Sequence, residues 1–583
     1  MEYNINFLNQ NLTVRAKEGT ILSKVCEKIG LSLDLVCGGK GTCGKCKVKL
    51  IKDNKLVEVL ACKTVVRENI RVLMEEYHSM DISILTSNIE NYQFNPHVRK
   101  IYLEKKELQD RKDELLEGCD LYLLKKFSKL YNSSKVKGIT LVKYEDNIID
   151  LLEGDRSEVL YGAAVDIGTT TLVIYIYDLI TGKLLTTLSD LNGQVSMGAD
   201  LISRIDYGSK EEGLKELNKK IISTLNKLLL EAKEQLPDLL ESLYHLVLCG
   251  NTLMHHLFLG LSPEGLGRSP FEGITKDLIE CWGSETEIIC AERCKIEFLP
   301  LLGGFVGADM AALMLTVEEG GNKLIIDLGT NGEIAVGNIN EYYVTSAACG
   351  PAFEGGNIQC GMRASLGAIE GFKIEKGEIL LSVVGNTEPK GICGSGIIDI
   401  VAELLRNNII DNRGRMRSYD EFAGINPYSK LKDRIQEIDG INSFVIYKPA
   451  SKDSREGAAN EKAPIYISQK DIRQIQLSKS SIYSSIITIL ELWGKRIDEI
   501  DEVILAGSFG NYINAHNAQY IGLLPKSKGK VKVAGNGAGK GVCLYLLNKD
   551  MKEKLRKITK NTKHFQLGDK ELFADNYIKN MDF

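Results

Sequence analysis

Alternating apolar and polar residues at the start of the chain predict a β-hairpin. Residues 3–8 and 12–16 alternate on either side of an Asn-Gln-Asn turn. A helix is expected next, because Thr20 can cap it and apolar residues recur at helical spacing until Gly30. Further strands, beginning with residues 47–51, complete a small domain of about 80 residues.

The region from Asn95 onwards has the pattern of a small α/β domain. Strands are predicted at 98–103, 138–144 and 148–152. Residues 107–131 are charged and carry apolar side chains at helical spacing, which predicts an amphipathic helix or a pair of helices.

A buried strand, a Gly-Thr turn and a returning strand follow at residues 164–177. Asp166 lies at the end of the first strand, Gly168 breaks it, and Thr169 and Thr170 supply hydroxyl groups. Such a hairpin can bind phosphate oxygens through backbone N–H groups and hydroxyls, while the carboxylate positions Mg²⁺ through water. A purely structural Gly-Thr turn between core strands is the alternative.

The same pattern recurs at residues 323–336. An apolar strand again leads to an aspartate, a glycine and small polar residues before a second strand, and the corresponding positions are Asp327, Gly329, Thr330 and Asn331. Two copies of one phosphate-binding hairpin imply a duplicated domain that holds a nucleotide between its halves.

Three further segments occur in an order that resembles the ASKHA superfamily, which includes actin, sugar kinases and seventy-kilodalton chaperones. Residues 302–312 resemble its first connecting helix and residues 534–542 its second. Residues 503–510 resemble its adenosine motif, in which Gly507 and Ser508 would contact the nucleoside. The resemblance implies an ATPase domain with two duplicated α/β halves.

Four cysteines near the N-terminus have the spacing of an iron–sulfur site. Five residues separate Cys37 from Cys43, two separate Cys43 from Cys46, and fifteen lead to Cys62. A [2Fe–2S] cluster needs four thiolates, and the surrounding glycines allow a loop to wrap it. The spacing and the predicted elements together resemble β-grasp ferredoxins. A zinc site or four unrelated thiols are the alternatives, but zinc prefers paired C-x2-C motifs.

Composition excludes several classes of function. The 583 residues are 44% hydrophobic with a net charge of −5, so no cationic excess is available for general nucleic-acid binding. We find no apolar run of membrane-spanning length and no signal-like N-terminus, so we expect a cytoplasmic protein. The 14 cysteines are then expected to be reduced, and Cys290 and Cys294 are interpreted as ordinary thiols.

Other segments allow more than one role. Glu354, in the Gly-rich turn 348–356, would either orient water for hydrolysis or cap a helix. Gly394 and Ser395 open an apolar helix whose N-terminus suits an anion. His255 and His256 are interpreted as core or surface residues rather than metal ligands.

The whole chain resembles the reductive activators of corrinoid proteins. The resemblance rests on the cysteine loop, on residues 165–171, 348–355 and 391–396, and on residues 468–474. It implies transfer of one electron from a [2Fe–2S] cluster to an inactive cobalt(II) corrinoid protein of a methyltransferase system, driven by ATP with Mg²⁺. An unidentified low-potential donor would reduce the cluster, and the sequence leaves a homodimer open.

The implied fold is multidomain, with a β-grasp ferredoxin-like domain at 1–85, a small α/β linker domain at 86–157 and an ASKHA ATPase domain at 158–583. Residues 412–462 are predicted to be an insertion with a mobile loop. Two alternatives are a small-molecule kinase with a redox-sensing ferredoxin domain and a chaperone-like protein with a structural cluster.

Overall fold

The computed structural model describes residues 2–8, 12–28, 33, 41, 46–52, 55–73, 92–198, 200–329, 331–449, 463–507 and 513–583. This part of the chain divides into two compact units. The first comprises Met1–Val317 and Ala538–Thr559, and the second comprises Glu318–Gly537 and Lys560–Phe583.

The N-terminal residues form the predicted β-grasp sheet. Its elements are β1 (Glu2–Phe7), β2 (Leu12–Lys17), α1 (Leu22–Lys28), β3 (Lys47–Lys52), β4 (Lys55–Leu60) and β5 (Ile70–Leu73). The strand order is β2-β1-β5-β3-β4, and the β1–β5 pair is parallel. A hydrophobic core that includes Ile5, Phe7, Leu22 and Val72 fills the space between the sheet and the helix.

The linker domain is a three-stranded antiparallel sheet with helices. Its strands are β6 (Val98–Glu104), β7 (Gly138–Tyr144) and β8 (Asn147–Glu153), and its helices are α2 (Lys105–Asp110), α3 (Lys112–Leu116) and α4 (Leu121–Tyr131). The expectation of one or two helices here is wrong. The chain makes three helices because Gly118 has a φ of +74° and Asp120 caps a new helix through Leu123 N–H.

The first half of the duplicated domain is built on a six-stranded sheet of order β11-β10-β9-β12-β14-β13. Its strands are β9 (Tyr161–Ile167), β10 (Thr171–Asp178), β11 (Leu184–Leu191), β12 (Leu243–Gly250), β13 (Ile279–Trp282) and β14 (Lys295–Phe298). The helices that accompany it are α5 (Leu201–Gly208), α6 (Glu211–Gln235), α7 (Leu239–Ser242), α8 (Thr252–Leu259) and α9 (Ala308–Leu315).

The second half repeats this arrangement. Its sheet has the order β25-β24-β15-β16-β17-β26, formed by β15 (Lys323–Leu328), β16 (Gly332–Asn338), β17 (Glu341–Ala347), β24 (Glu502–Ala506), β25 (Lys530–Gly535) and β26 (Thr562–His564). In each sheet three consecutive strands form an antiparallel meander, β9–β10–β11 in the first and β15–β16–β17 in the second. Two further strands, β12 and β14 in the first sheet and β24 and β25 in the second, continue the sheet parallel to the first strand of the meander. This shared topology confirms the predicted duplication.

Between β17 and β24 the second half carries additional elements. They are β18 (Ala368–Glu375), β19 (Glu378–Val383), β20 (Gly391–Ile392), α10 (Gly394–Arg406), α11 (Tyr419–Ile425), β21 (Ile435–Ile438), β22 (Ile441–Tyr447), β23 (Ile465–Ser468), α12 (Gln469–Trp493) and, after β24, α13 (Ala515–Tyr520). Residues 412–449 are therefore folded, with Phe444 fully buried. Residues 450–462, where the mobile loop is predicted, lie outside the described residues.

The chain ends with α14 (Gly537–Leu547), α15 (Asp550–Lys560) and α16 (Glu571–Lys579). The segments predicted as connecting helices form α9 and α14. These helices cross closely, because a Cβ at Gly541 would overlap the carbonyl oxygen of Ala312. Among the described residues, no helix is long and apolar enough to cross a membrane.

Candidate functional site

Two of the four predicted cluster cysteines meet beside the β3–β4 pair. Cys46 precedes β3 and Cys62 follows β4, both are buried, and their sulfur atoms lie 3.1 Å apart. A Cβ at Gly41 would overlap the Lys63 side chain, so Gly41 lies close to the residue that follows Cys62. Cys37 and Cys43 lie outside the described residues. Two convergent buried thiols near Gly41 fit a metal–sulfur cluster.

The first Gly-Thr hairpin connects β9 to β10 and is held by amide side chains. Asn192 donates through Nδ2 to the Gly168 carbonyl (2.9 Å), and its backbone N–H donates to Thr170 O (2.7 Å). Asn251 Nδ2 donates to Thr169 Oγ1 (2.9 Å). These bonds fix the loop that carries Thr169 and Thr170, and neither asparagine was predicted from the sequence.

Arg204 on α5 is a buried cation bonded to the same hairpin. Its Nη2 donates to Thr169 O (2.6 Å), its Nε to Gly198 O (2.7 Å) and its Nη1 to Gln194 Oε1 (3.2 Å). In the part of the chain that the structure describes, no carboxylate lies within ion-pair distance of it. Burial lowers the pKa of Arg204 to about 10, so the guanidinium stays charged at neutral pH.

A second carboxylate lies close to the first hairpin. Asp309 is in the first turn of α9, and a Cβ at Gly307 would lie 2.6 Å from its Oδ1 and would overlap Asn251. Burial raises the pKa of the Cys249 thiol, and the negative charges of Asp166 and Asp309 raise it further. Asp166 and Asp309 therefore flank one buried thiol, although only Asp166 was identified from the sequence.

The second hairpin lies beside two other predicted site residues. A Cβ at Gly329 would lie 3.8 Å from Glu354 Oε1, and a Cβ at Gly507 would lie 2.9 Å from Asp327 Oδ1. Gly507 has a φ of +102°, which a residue with a side chain rarely adopts. Asp327, Gly329, Glu354 and Gly507 are thus grouped within the second unit, and Asn331 O accepts from Gly329 N–H (3.2 Å). Thr330 and Ser508 lie outside the described residues.

Glu354 is the last residue of a 3₁₀ turn, Pro351–Glu354, and its side chain lies near Gly329. Gly394 and Ser395 begin α10, which packs against this turn. The Ser395 hydroxyl is buried and donates to Glu370 O (2.8 Å). In this conformation its proton is therefore engaged in a hydrogen bond within the protein.

His255 and His256 on α8 are core residues. His256 Nδ1 lies 2.8 Å from Thr252 O, and its Nε2 accepts from Ile274 N–H (2.9 Å), which identifies the neutral Nδ1–H tautomer. His255 packs edge-on against Phe298, with ring centroids 4.7 Å apart. Burial lowers the pKa of His255 to about 3.

Comparisons with known proteins agree with this arrangement. Residues 5–67 match the 2Fe-2S iron-sulfur cluster binding domain, residues 161–319 the RACo middle region, and residues 321–583 the C-terminal ASKHA domain of RACo. The chain is 38% identical over 586 residues to the corrinoid activation enzyme RamQ of Eubacterium limosum, covering 98% of this chain and 97% of that protein. The chain belongs to the RACo family of corrinoid activators.

The chain is also similar to the Co(II) methylated amine-specific corrinoid protein reductase of Methanosarcina barkeri. It is 24% identical over 464 residues, which cover 73% of this chain and 77% of that protein. The solved structure of a reductive activator for a corrinoid iron-sulfur protein superposes with a TM-score of 0.70 at 28% identity, covering 100% of this chain and 98% of that one. RACo-family membership confirms the predicted ferredoxin-like and ASKHA domains.

Proposed function

We propose that this protein uses ATP to return an inactive cobalt(II) corrinoid protein to cobalt(I). The observation that carries the proposal is the convergence of Cys46 and Cys62 in a β-grasp domain on the same chain as two phosphate-type hairpins. The 38% identity to a corrinoid activation enzyme over almost the whole chain supports the choice of client.

The four cysteines Cys37, Cys43, Cys46 and Cys62 would hold the cluster. When bound, a [2Fe–2S] cluster supplies a one-electron carrier at roughly −400 mV for the plant type. The client's cobalt(II) gains one electron and becomes cobalt(I), while a low-potential donor of unknown identity restores the reduced protein. Burial of Cys46 and Cys62 keeps water away from their sulfur atoms.

The nucleotide is needed because we expect the electron transfer to be uphill. Each gap of about 59 mV in a one-electron transfer costs a factor of ten in the product ratio. ATP binding and hydrolysis can offset this gap if the nucleotide-bound conformation binds the cobalt(II) client differently. The conformation of the protein must therefore depend on whether the hairpins hold the phosphates of ATP.

The two hairpins are proposed to bind ATP through equivalent residues. Asp166 and Asp327 would hold Mg²⁺ through water, and the hairpin residues Gly168, Thr169, Thr170, Gly329, Thr330 and Asn331 would contact phosphate oxygens. Gly394 and Ser395 would add backbone contacts at the start of α10, and Gly507 and Ser508 would contact the nucleoside. Glu354, close to Gly329, would orient the attacking water.

The test is to mix reduced protein with cobalt(II) corrinoid proteins and follow the cobalt(I) absorption band with and without ATP. Cobalt(I) should accumulate only with ATP, and Asp166→Asn and Asp327→Asn should abolish the ATP effect. Reduction that proceeds equally well without ATP, or in both variants, would contradict the coupling.

A Glu354→Gln protein should bind ATP normally but hydrolyse it at least tenfold more slowly.

A further inference from the structure

Three cysteines lie at the end of the β13–β14 hairpin where residues 283–294 connect the two strands. Cys281 pairs with Ile296 across the hairpin, and Gly283 N–H donates to Cys294 O (2.9 Å). Residues two apart on a strand project to the same face, and so do residues directly opposite each other. Cys281, Gly283 and Cys294 therefore share one face of the sheet.

The third thiol occupies the space that a side chain at Gly283 would take. A Cβ at Gly283 would lie 2.8 Å from Cys290 Sγ and 3.4 Å from Cys294 Cβ. The thiol of Cys290 lies 3.6 Å from Ile288 O, and that of Cys294 lies 3.8 Å from Lys295 O. The absence of a side chain at Gly283 thus leaves room for Cys290 beside Cys294.

A metal site does not explain this arrangement. Within the described ranges, no group of three or more His, Cys, Asp or Glu side chains could hold a metal ion. Both Cys290 and Cys294 are free thiols, Cys294 being buried and Cys290 only partly so. Two adjacent thiols of unequal accessibility are suited to thiol–disulfide exchange.

We propose that Cys290 and Cys294 are a redox-active dithiol, a modification site that a disulfide such as glutathione disulfide oxidises to an intramolecular disulfide. The more accessible Cys290 thiolate attacks the disulfide and releases one thiol, forming a mixed disulfide. Cys294 then displaces the second thiol. The protein loses two electrons and two protons, and the glutathione disulfide is reduced to two glutathione molecules.

The unequal accessibility of the two thiols favours this direction of attack, because Cys290 is partly exposed and Cys294 is buried. The neighbouring Cys294 side chain lowers the pKa of Cys290, whereas burial raises the pKa of Cys294 well above its usual value. Cys290 is therefore the attacking thiol and Cys294 the resolving one.

The loop between the two cysteines also holds the linker domain. Arg293 forms an ion pair with Asp120, and its Nε donates to Ile149 O (3.3 Å). Its guanidinium lies over the Tyr122 ring, 4.6 Å from the centroid. Arg293 directly precedes Cys294. A disulfide from Cys290 to Cys294 should therefore change the backbone conformation at Arg293 and move its guanidinium. Oxidation should therefore loosen the linker domain at α4 and β8.

The first experiment incubates the full-length, cluster-containing protein anaerobically at a series of glutathione to glutathione disulfide ratios. Remaining thiols are alkylated, and the digest is analysed by mass spectrometry. We expect the peptide with both cysteines to lose two hydrogen atoms as the ratio becomes more oxidising. Cys294→Ser should instead accumulate a mixed disulfide at Cys290, whereas Cys281→Ser should still form the internal disulfide. Full alkylation of both thiols at every ratio, or a disulfide that includes Cys281, would overturn the assignment.

The second experiment measures amide hydrogen exchange in residues 118–124 and 147–153 before and after oxidation. Exchange should accelerate in the wild-type protein and stay constant in Cys290→Ser. Constant exchange in both proteins would refute the link between the dithiol and the linker domain.

Discussion

Arg204 is a buried residue whose side chain is bonded to the backbone of the first hairpin. Its guanidinium is fully buried and donates to three oxygen atoms, including the carbonyl of Thr169 in the first hairpin. Those acceptors are neutral, so the positive charge is not cancelled by a protein carboxylate at ion-pair distance within the described residues. A buried charge of this kind is costly unless an anion compensates it. Bound phosphate is the natural compensating anion under the proposed function.

Replacing Arg204 should therefore weaken ATP binding. Arg204→Met leaves buried oxygens without donors, at a cost of about 1–3 kcal/mol each in unfolding free energy. We expect about a tenfold or greater loss of ATP affinity, equivalent to about 1.4 kcal/mol, with a smaller loss for Arg204→Lys, which keeps the charge. Titration calorimetry measures the affinity, and urea unfolding checks the fold.

Arg99→Met is the matched control, because Arg99 forms an exposed pair with Asp146 and its removal also takes away one positive charge. It should leave ATP affinity unchanged. A folded Arg204→Met protein with wild-type affinity would show that Arg204 serves stability alone.

His255 should make the stability of the first unit depend on pH. Its pKa is about 3 when folded, against an ordinary value of 6.5, because burial disfavours the imidazolium. Below pH 6.5 the unfolded chain takes up a proton that the folded protein does not. Stability is therefore full above about pH 6.5 and falls on acidification, by about 2 kcal/mol between pH 7 and 5.

His255→Phe should remove this loss, since both ring nitrogens are without a hydrogen-bond partner among the described residues and the ring packs against Phe298. Urea unfolding at pH 7 and pH 5 compares the variant with the wild-type protein. An equal loss of stability in both would exclude His255 as a source of the pH dependence.

At the scale of residues, the two hairpins could be predicted from the sequence because their residues are close together in the chain. Asp166, Gly168 and Thr169 follow one another, as do Asp327 and Gly329, so each hairpin could be recognised from its spacing. Arg204 and Asn192 could not, because they lie far along the chain and bind carbonyl groups that every residue possesses. Asp309 had a local signal, an aspartate in the first turn of a predicted helix, that was not used.

At the scale of elements, the duplicated strand order was predictable because each hairpin marks the first two strands of its sheet. The helix pattern of residues 107–131 was harder, since its apolar periodicity continues across the break at Gly118. The polar composition of residues 412–449 concealed β22, whose short apolar run is buried between β21 and β23. The average composition of a segment does not show whether one short strand within it is buried.

The crossing of α9 and α14 provides a prediction at this scale. Gly541→Ala places a methyl group where the Ala312 carbonyl oxygen lies, so the two helices must separate. Overpacking of this kind costs about 1–3 kcal/mol, and we expect a lower melting temperature by calorimetry. Gly424→Ala on α11 is the control, because in the described part of the chain no atom beyond its neighbours and its own helix backbone lies within 4 Å of its Cβ position. It should stabilise the protein slightly, by up to about 1 kcal/mol, through better helix propensity. Equal melting temperatures for Gly541→Ala and the wild-type protein would contradict the close crossing.

At the scale of the whole molecule, two chemistries occur on one chain with separate hydrophobic cores. The core around Ile5 and Val72 belongs to the ferredoxin-like domain, and a different core around Ile326 and Val503 supports the second hairpin. Since neither core includes residues of the other, a substitution at one site should leave folding at the other intact. We therefore expect that a substitution can abolish electron transfer without affecting nucleotide binding, and the reverse.

Two substitutions test this separation together. Cys62→Ser removes one proposed ligand and should abolish the visible iron–sulfur absorption while ATP affinity stays within about twofold of the wild-type value. Asp327→Asn should have the reverse effect, with normal absorption and weakened binding of ATP with Mg²⁺. Neither variant alone should produce cobalt(I), and a mixture of the two should also fail if both functions must act within one chain. Recovery of activity in the mixture would show that the cluster of one chain can serve the nucleotide-binding halves of another.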